Sequence, residues 1–248
     1  MTLEQFFAEN REVAIAFSGG VDSAYLLYAA TRYAARVKAY YVSTAFQPKF
    51  ELEDARRLAN ELGADMQVLH VDVLMSGAVV ANPPDRCYHC KNTLFRQILR
   101  AAENDGFPVL LDGTNASDDA GDRPGMRALR ELSVRSPLRE CGLTKAEIRR
   151  LSREAGLFTW DKPAYACLAT RIRTGEEITL QKLKQTEKAE GFLFGLGFRD
   201  FRVRMVGNTA KLELRETDLP LLLENREKIV TELRKDYDSV LLNLEVRK

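Results

Sequence analysis

The chain has 248 residues, of which 45% are hydrophobic, and it carries a formal net charge of +1. This length allows one large domain or two smaller ones, and the apolar content is sufficient for a buried core. The charge gives no electrostatic argument for an obligatory nucleic-acid or membrane partner, and no apolar run approaches the ~20 residues of a membrane span. Because the acidic N-terminus also lacks the basic region of a secretory signal, we expect a cytoplasmic enzyme.

Strand and helix patterns alternate through the first part of the chain. Apolar runs predict strands at residues 13–17, 37–42, 66–71 and 108–111. Helices are predicted at residues 22–35, 50–62, 91–104 and 144–155. Such alternation is typical of a parallel sheet with helices on both faces, which binds ligands at the carboxyl ends of its strands. We therefore predict an α/β domain over residues 1–175.

The pattern changes near Gly175. A helix, two strands, a helix and a strand are predicted in that order at residues 178–194, 201–206, 210–214, 218–235 and 240–246. Gly207 and Asn208 separate the first two of these strands, so we predict a hairpin turn there. Residues 176–248 are therefore expected to form a second, smaller α/β domain.

Residues 18–23, Ser-Gly-Gly-Val-Asp-Ser, join the first predicted strand to the first long predicted helix. The N-terminus of a helix carries about half a positive charge and attracts phosphate-type anions. Gly19 and Gly20 let the backbone approach such an anion, and the neighbouring serine hydroxyls can donate to it. The Gly-Lys-Ser/Thr of kinase and GTPase P-loops is missing, and the stretch instead resembles the PP-loop of ATP pyrophosphatases. The alternative interpretation is an ordinary capped turn.

Cysteines form a second group of candidate residues. Cys87 and Cys90 make a Cys-x-x-Cys pair just before a predicted helix, and Cys167 lies far downstream. In a cytoplasmic protein such a pair suits zinc, a redox dithiol or an iron–sulfur site. A structural zinc ion needs four ligands, so Cys167 and either Cys141 or His89 would have to complete the pair. Three thiolates on a 4Fe–4S cluster would instead leave one iron without a protein ligand. Cys141 is otherwise expected to be a small buried apolar residue.

These motifs together resemble the LarE family, PP-loop ATP-dependent sulfur transferases that mature the nickel-pincer cofactor of lactate racemase. The matching segments are residues 16–23, 82–91, 112–119, 123–125, 136–138 and 160–171. The resemblance covers nearly the whole chain, and the C-terminal part matches mainly at Glu190 and residues 202–204. Thr170 stands where the family pattern has Ser, so a hydroxyl is kept.

The resemblance implies a two-step reaction on a pyridinium dicarboxylate mononucleotide. ATP would first adenylate a carboxylate, which otherwise resists attack because it is resonance-stabilised and oxide is a poor leaving group. A sulfur atom would then displace AMP and leave a thiocarboxylate. The PP-loop would bind the departing phosphates, where one preorganised N–H donor is worth about 3–4 kcal/mol.

The resemblance also implies a nucleotide site. Its phosphate-binding loop would consist of Ser18, Gly19, Gly20, Asp22 and Ser23. Ser43 would meet adenine or ribose, and Gly113 and Asn115 would form the opposite wall. Arg123 would contact a phosphate, unless it is an exposed structural arginine. Magnesium would bridge phosphate oxygens beside Asp22 and Asp119.

For sulfur delivery, the resemblance is to the three-cysteine branch of the family. It implies that Cys87, Cys90 and Cys167 hold a 4Fe–4S cluster, whose open iron carries a labile sulfide replaced from a sulfide source. Arg202 and Arg204 share one face of a predicted strand and would bind the phosphate of the substrate, the alternative being a solvated face. Glu190 would orient substrate or metal, or else lie on the surface of its helix.

Three other functions remain open. A tRNA thiolase would be expected to have a basic RNA-facing patch or an added zinc module, against which the charge of +1 and the four cysteines argue. An ATP-dependent amidating ligase would give the cysteine trio no chemical task beyond a structural zinc site. A zinc protein that binds nucleotide as a regulator is the third. The resemblance further implies a homohexamer built from dimers.

Overall fold

The computed structural model describes residues 1–118 and 124–247. Its strands are β1 (Glu12–Ala16), β2 (Arg36–Ser43), β3 (Asp65–His70), β4 (Val109–Leu111), β5 (Arg202–Val206), β6 (Thr209–Glu213) and β7 (Ser239–Leu242). Its helices are α1 (Leu3–Glu9), α2 (Val21–Tyr33), α3 (Lys49–Glu61), α4 (Gly77–Val80), α5 (Arg86–Asn104), α6 (Pro124–Glu131), α7 (Pro137–Glu140), α8 (Lys145–Glu154), α9 (Leu180–Gly195), α10 (Leu219–Glu224) and α11 (Arg226–Leu233). Within these described ranges, no helix combines the length and hydropathy needed to cross a membrane.

The chain divides into two compact units. Unit 1 consists of Met1–Val73 and Asp85–Lys162, and unit 2 of Leu74–Pro84 and Pro163–Lys248. Unit 2 therefore takes in residues on both sides of the predicted boundary at residue 175. The reason lies in hydrogen bonds within unit 2, where Asn82 Nδ2 donates to the Arg173 carbonyl at 2.8 Å and Gly175 N donates to the Asn82 carbonyl at 2.8 Å.

Unit 1 is built on a four-stranded parallel sheet in the order β3–β2–β1–β4. In the central strand β1, Ala14 pairs with Lys38 of β2 on one side and with Leu110 of β4 on the other. Successive side chains of a strand point to opposite faces, and Val13, Ala14 and Ile15 are all buried, so β1 is covered on both faces. The parallel α/β sheet predicted from the sequence is confirmed.

Two hydrophobic clusters cover the faces of this sheet. One contains Val13 and Ile15 together with Phe6 of α1, and the other contains Ala14 and Tyr40. Complete burial of a large apolar side chain stabilises a fold by about 1.5–3 kcal/mol. This double burial fixes the strand ends, and with them the loops that follow.

Helix α5 begins at Arg86, earlier than the predicted start at residue 91. Cys87 and Cys90 therefore lie inside the helix, and the prediction that they precede it is wrong. Asp85 occupies the N-cap position after a Pro-Pro pair, which marks a natural helix start, and no Pro or Gly interrupts the residues that follow. With a spacing of three residues, the two cysteines share one face of α5.

Unit 2 contains a mixed sheet in the order β5–β6–β7, antiparallel between β5 and β6 and parallel between β6 and β7. Gly207 and Asn208 form the predicted hairpin turn, with φ of 57° at Gly207, as a type II′ turn requires at its first central residue. The helix predicted at residues 218–235 is divided into α10 and α11 at Asn225. The Asn225 side chain donates to the Leu221 carbonyl at 3.0 Å and so competes with the helical hydrogen bonds.

Candidate active site

The carboxyl ends of β1, β2 and β4 bring three predicted loops to one edge of the unit 1 sheet. Ser18 follows β1, Ser43 is the last residue of β2, and Gly113 follows β4. Gly113 lies close to the backbone at the start of α2, since a Cβ atom on Gly113 would be 2.9 Å from the backbone nitrogen of Ser23. Gly113 therefore adjoins the glycine loop, and Ser43 and Gly113 lie at the ends of the strands on either side of β1.

The glycine loop at residues 18–23 is organised by its two serines. Their Oγ atoms lie 3.0 Å apart, and Ser23 Oγ donates to the Gly20 carbonyl at 3.2 Å. Gly19 has φ of 72°, and a Cβ there would lie 3.2 Å from Ala55 Cβ, so the fold itself requires glycine at this position. At Gly20 a Cβ would make only an ordinary contact, 3.5 Å from Ser18 Oγ. Packing within the chain therefore leaves room for a side chain at Gly20.

Gly20 is the N-cap of α2, and no side-chain hydrogen bond from the described residues caps this helix. Asp22 lies in the first turn, where its Oδ2 accepts from Lys145 Nζ at 2.6 Å. Its Oδ1 is buried without a hydrogen-bond partner in the described part of the chain. Burial raises the pKa of Asp22, although the hydrogen bond and charge of Lys145 oppose this shift. A buried, unpaired carboxylate oxygen beside an anion-attracting helix end fits a magnesium ligand.

Two lysines that sequence reasoning missed flank the glycine loop. Lys145, the first residue of α8, pairs with Asp22. Lys162 Nζ lies 2.7 Å from Asp54 Oδ2 and donates to the Gly19 carbonyl at 3.4 Å. The side chain of Lys162 is only 15% exposed, and Arg149 donates to its carbonyl at 2.9 Å. These lysines supply the positive charge that the glycine loop itself lacks.

The loop after β4 is tied to the start of α8, the helix that supplies Lys145. Asn115 is buried, and its Oδ1 accepts from Ser117 N at 2.8 Å, while its own N donates to Asp118 Oδ2 at 2.9 Å. Ser117 Oγ in turn accepts from Lys145 N at 3.0 Å. Asn115 therefore shapes the wall beside the loop. Asp119 and Arg123, the other residues predicted here, lie outside the described residues.

We expect Gly113→Ala to destabilise unit 1, because its Cβ would lie 2.9 Å from backbone that cannot shift without moving the start of α2. Overpacking of this kind costs about 1–3 kcal/mol in unfolding free energy. Urea denaturation measures the loss. Gly20→Ala is the matched control, since its Cβ finds only an ordinary contact, and equal stability of the two variants would contradict the close approach.

The cysteines are divided between the units. Cys87 and Cys90 lie on α5 in unit 1, where Arg86 Nη2 approaches Cys87 Sγ at 3.8 Å, and Cys167 lies in unit 2. Cys141 packs against the unit 1 core, and burial raises the pKa of its thiol, as for a small apolar residue.

Thiolates are the usual ligands of iron–sulfur clusters, and all four cysteines are thiols, so the predicted set of three fits such a cluster in its chemistry. Across residues 1–118 and 124–247, no three His, Cys, Asp or Glu side chains form a ready metal-binding group. The 4Fe–4S cluster and the zinc site completed by Cys141 or His89 therefore both stay predictions.

Glu190 is buried, at 1% exposed, so the interpretation that it lies on a helix surface is wrong. It forms a buried ion pair with Arg171, whose Nε lies 2.7 Å from Glu190 Oε1. Burial alone would lower the pKa of Arg171, but its hydrogen bond and charge interaction with Glu190 outweigh this effect and raise it. A long-range pair of this kind leaves no periodic trace in the sequence, although the buried carboxylate itself was among the predicted residues.

Arg202 and Arg204 alternate along β5 and share a face, as predicted. Arg202 is buried and donates to the carbonyls of Phe201 and Ala164, both at 2.6 Å. Arg204 donates to the Thr170 carbonyl at 2.6 Å and pairs with Glu213 at 2.7 Å, and its side chain is 38% exposed. Burial, with the charge of Arg171, lowers the pKa of Arg202.

Comparison with known proteins covers both units. The family described as asparagine synthase matches residues 4–118, which contain β1 to β4 and the glycine loop. An uncharacterized protein of Synechocystis sp. is 39% identical over 215 residues, which cover 86% of this chain and 80% of the relative.

Two further relatives have assigned activities. The pyridinium-3,5-bisthiocarboxylic acid mononucleotide synthase of Lactiplantibacillus plantarum is 32% identical over 235 residues, covering 94% of this chain and 85% of the relative. A tRNA-specific 2-thiouridylase, MnmA of Thermotoga petrophila, is 25% identical over 188 residues, covering 59% and 52%. The first likeness thus extends through both units, whereas the second leaves much of the chain unmatched.

Proposed function

We propose that this chain, which belongs to the LarE family of PP-loop ATP-dependent sulfur transferases, adenylates a carboxylate of pyridinium-3,5-biscarboxylic acid mononucleotide and converts it into a thiocarboxylate. The observation that carries this proposal is similarity over 94% of the chain to a synthase named for the bisthiocarboxylic product. Likeness to the tRNA thiouridylase covers 59% of the chain, so tRNA thiolation is the weaker candidate.

Unit 1 performs the ATP half of the reaction. The N-terminus of α2 faces the β- and γ-phosphates, and Gly20 leaves room for them beside the backbone. Ser43 lies at the end of the neighbouring strand, where it contacts adenine or ribose, opposite Gly113 and Asn115. Asp22 Oδ1 would bind magnesium, which would neutralise phosphate charge. Lys145 and Lys162 hold carboxylates at 2.6 and 2.7 Å in the structure and turn to the phosphates when ATP binds.

Replacing Lys145 or Lys162 by Met is expected to lower ATP-dependent pyrophosphate release by roughly 10- to 100-fold, the equivalent of about 1.5–3 kcal/mol for one hydrogen bond to a charged group. Steady-state pyrophosphate assays measure this. Lys188→Met is the matched control, since Lys188 forms a comparable 2.6 Å ion pair with Asp236 in unit 2. Full pyrophosphate release by both loop variants would remove these lysines from the phosphate site.

Unit 2 binds the substrate. Arg204 is the candidate ligand for the phosphate of the mononucleotide, because its guanidinium is partly exposed beside Glu213. Arg202 contributes charge next to it on the same face of β5, with its donors directed at carbonyls. Adenylation makes the substrate carbon electrophilic, and AMP is then the leaving group.

Sulfur delivery is assigned to Cys87, Cys90 and Cys167 as thiolate ligands. A 4Fe–4S cluster on them would supply the sulfide that replaces a carboxylate oxygen. The three thiolates would hold the cluster and would not attack the substrate themselves. We therefore expect them to remain intact through repeated turnovers. A cytoplasmic location, a separate sulfide source and a homohexamer belong to the same proposal.

The deciding experiment is anaerobic reconstitution of the full chain with iron and sulfide, followed by reaction with ATP and the dicarboxylate mononucleotide. Thiocarboxylate formation, detected by mass spectrometry, is the expected result. Zinc without sulfide in anaerobically purified protein would instead favour a structural zinc site. Sulfur incorporation into tRNA, with none into the mononucleotide, would replace the proposal by tRNA thiolation.

A further inference from the structure

Three arginines of unit 2 hold the backbone of the segment that carries Cys167. Arg202 Nη2 donates to the Ala164 carbonyl at 2.6 Å, and Arg204 Nη1 donates to the Thr170 carbonyl at 2.6 Å. Arg171 Nη1 donates to the Ala166 carbonyl at 2.9 Å and to the Cys167 carbonyl at 3.4 Å. The guanidiniums therefore bind carbonyls spread along residues 164–170, on both sides of the cysteine.

The central arginine depends on Glu190 for its orientation. Arg171 is 1% exposed, and its Nε and Nη2 donate to the two oxygens of Glu190 at 2.7 and 3.0 Å. This bidentate geometry leaves Nη1 directed at the Cys167 turn. The planar guanidinium is thereby locked at one end by the carboxylate and at the other end by backbone.

Glu190 has no capacity left for a substrate. Besides the two Arg171 donors, it accepts from Val203 N at 2.9 Å and from the hydroxyl of Tyr165. These four donors occupy both oxygens of a carboxylate that is 1% exposed. Tyr165 is itself part of the arrangement, because its ring lies 4.7 Å from the Arg171 guanidinium carbon and 5.4 Å from that of Arg202.

We propose that Glu190 is a positioning residue: its carboxylate fixes Arg171 and Tyr165 so that residues 164–170 present Cys167 in one orientation. This inference rests on the proposed function only in giving Cys167 a part in sulfur delivery. It replaces the prediction that Glu190 orients substrate or metal directly. The structural part, a turn held through Glu190, stands whether or not sulfur is transferred.

The test measures the Cys167 turn in the full chain without ATP or mononucleotide. The amide of Thr170 donates to the Cys167 carbonyl at 3.0 Å and that of Ile172 to the Ala169 carbonyl at 3.3 Å, so hydrogen exchange reports on the turn. In Glu190→Gln we expect both amides to exchange about tenfold faster, and in Tyr165→Phe roughly threefold faster. Glu232→Gln, which breaks an exposed ion pair with Lys235, is the control and should change neither amide.

Alkylation by iodoacetamide gives an independent readout, because peptide mass spectrometry follows Cys167 together with Cys87 and Cys90 in one sample. Glu190→Gln should increase alkylation at Cys167 alone. In the reconstituted enzyme, positioning predicts a lower kcat for sulfur transfer with an unchanged KM for the mononucleotide.

Unchanged exchange and alkylation in a folded Glu190→Gln variant would overturn the proposal, as would a raised KM with an undisturbed turn. If Glu190→Gln does not fold, Tyr165→Phe decides by the same two measurements, since it removes only a hydroxyl. A wild-type chain that transfers no sulfur would refute the proposed function, while the exchange and alkylation results would still decide the role of Glu190.

Discussion

In the Asp22→Asn variant, pyrophosphate release from ATP falls by an expected factor of roughly 100 or more, since a metal bound at phosphate contributes several kcal/mol to the transition state. Asp22 offers one oxygen to Lys145 at 2.6 Å, and its other oxygen is buried without a partner in the described part of the chain. An amide would keep the shape of this side chain but would lose the charge that binds a cation. The readout is the rate of pyrophosphate release under saturating ATP.

For the same variant we also predict how the free energy of unfolding depends on pH, which distinguishes an effect on folding from an effect on catalysis. Because burial raises the pKa of Asp22 above 3.8, its favourable contribution to folding is complete below that pH and is lost as the pH rises through the folded-state pKa. Asn does not titrate, so the unfolding free energy of the variant relative to wild type should increase with pH across this window. Urea denaturation from acid to neutral pH measures this difference.

Asp105→Asn is the control, because the contribution of Asp105 to stability should depend on pH in the opposite direction. Hydrogen bonds from Lys38 and Tyr40 lower the pKa of Asp105, so its contribution is present above its ordinary pKa and is lost as the pH falls. Pyrophosphate release should be untouched in this variant. If Asp22→Asn releases pyrophosphate at the wild-type rate, the glycine loop is not the catalytic phosphate site.

Replacing Cys87, Cys90 or Cys167 by Ala is expected to abolish sulfur transfer, each by itself, and to leave adenylation measurable. We expect this result because the cysteines are assigned to sulfur delivery, whereas residues 18–23, Lys145 and Lys162 are assigned to ATP. Because these cysteines are exposed or half-buried, we expect their replacement to cost little stability. Thiocarboxylate formation and AMP release, followed in the same reaction, separate the two steps.

Cys141→Ala is the matched control for these variants, since Cys141 packs against the core of unit 1 and is not a ligand of the proposed iron–sulfur cluster. It should lose some stability and keep sulfur transfer. Transfer retained in Cys90→Ala would overturn the assignment of three thiolate ligands. Iron and sulfide analysis of each variant checks whether activity and cluster content are lost together.

The local sequence was sufficient for the elements that carry the nucleotide site. The strand–glycine turn–helix order around residues 13–35 follows from apolar runs and from a turn whose positive φ at Gly19 favours glycine, and both signals lie within short stretches of the sequence. Helix α1 is not among the predicted helices, although Thr2 and Gln5 form a capping box and the pattern Thr-x-x-Gln is typical of a helix start. Helix α5 also begins earlier than predicted, at Arg86, although a Pro-Pro pair followed by Asp85 is typical of a helix start.

What the sequence by itself determined is therefore the parallel α/β fold, the glycine loop at the end of β1 and the three cysteines that suggest sulfur chemistry. Only the tertiary structure decided that Lys145 and Lys162 flank the loop, that Gly113 must be glycine, and that Glu190 is buried against Arg171. Periodicity and turn chemistry act between near neighbours in the chain. Ion pairs and close backbone approaches join residues far apart in sequence, such as Asp22 and Lys145, and depend on how the elements pack.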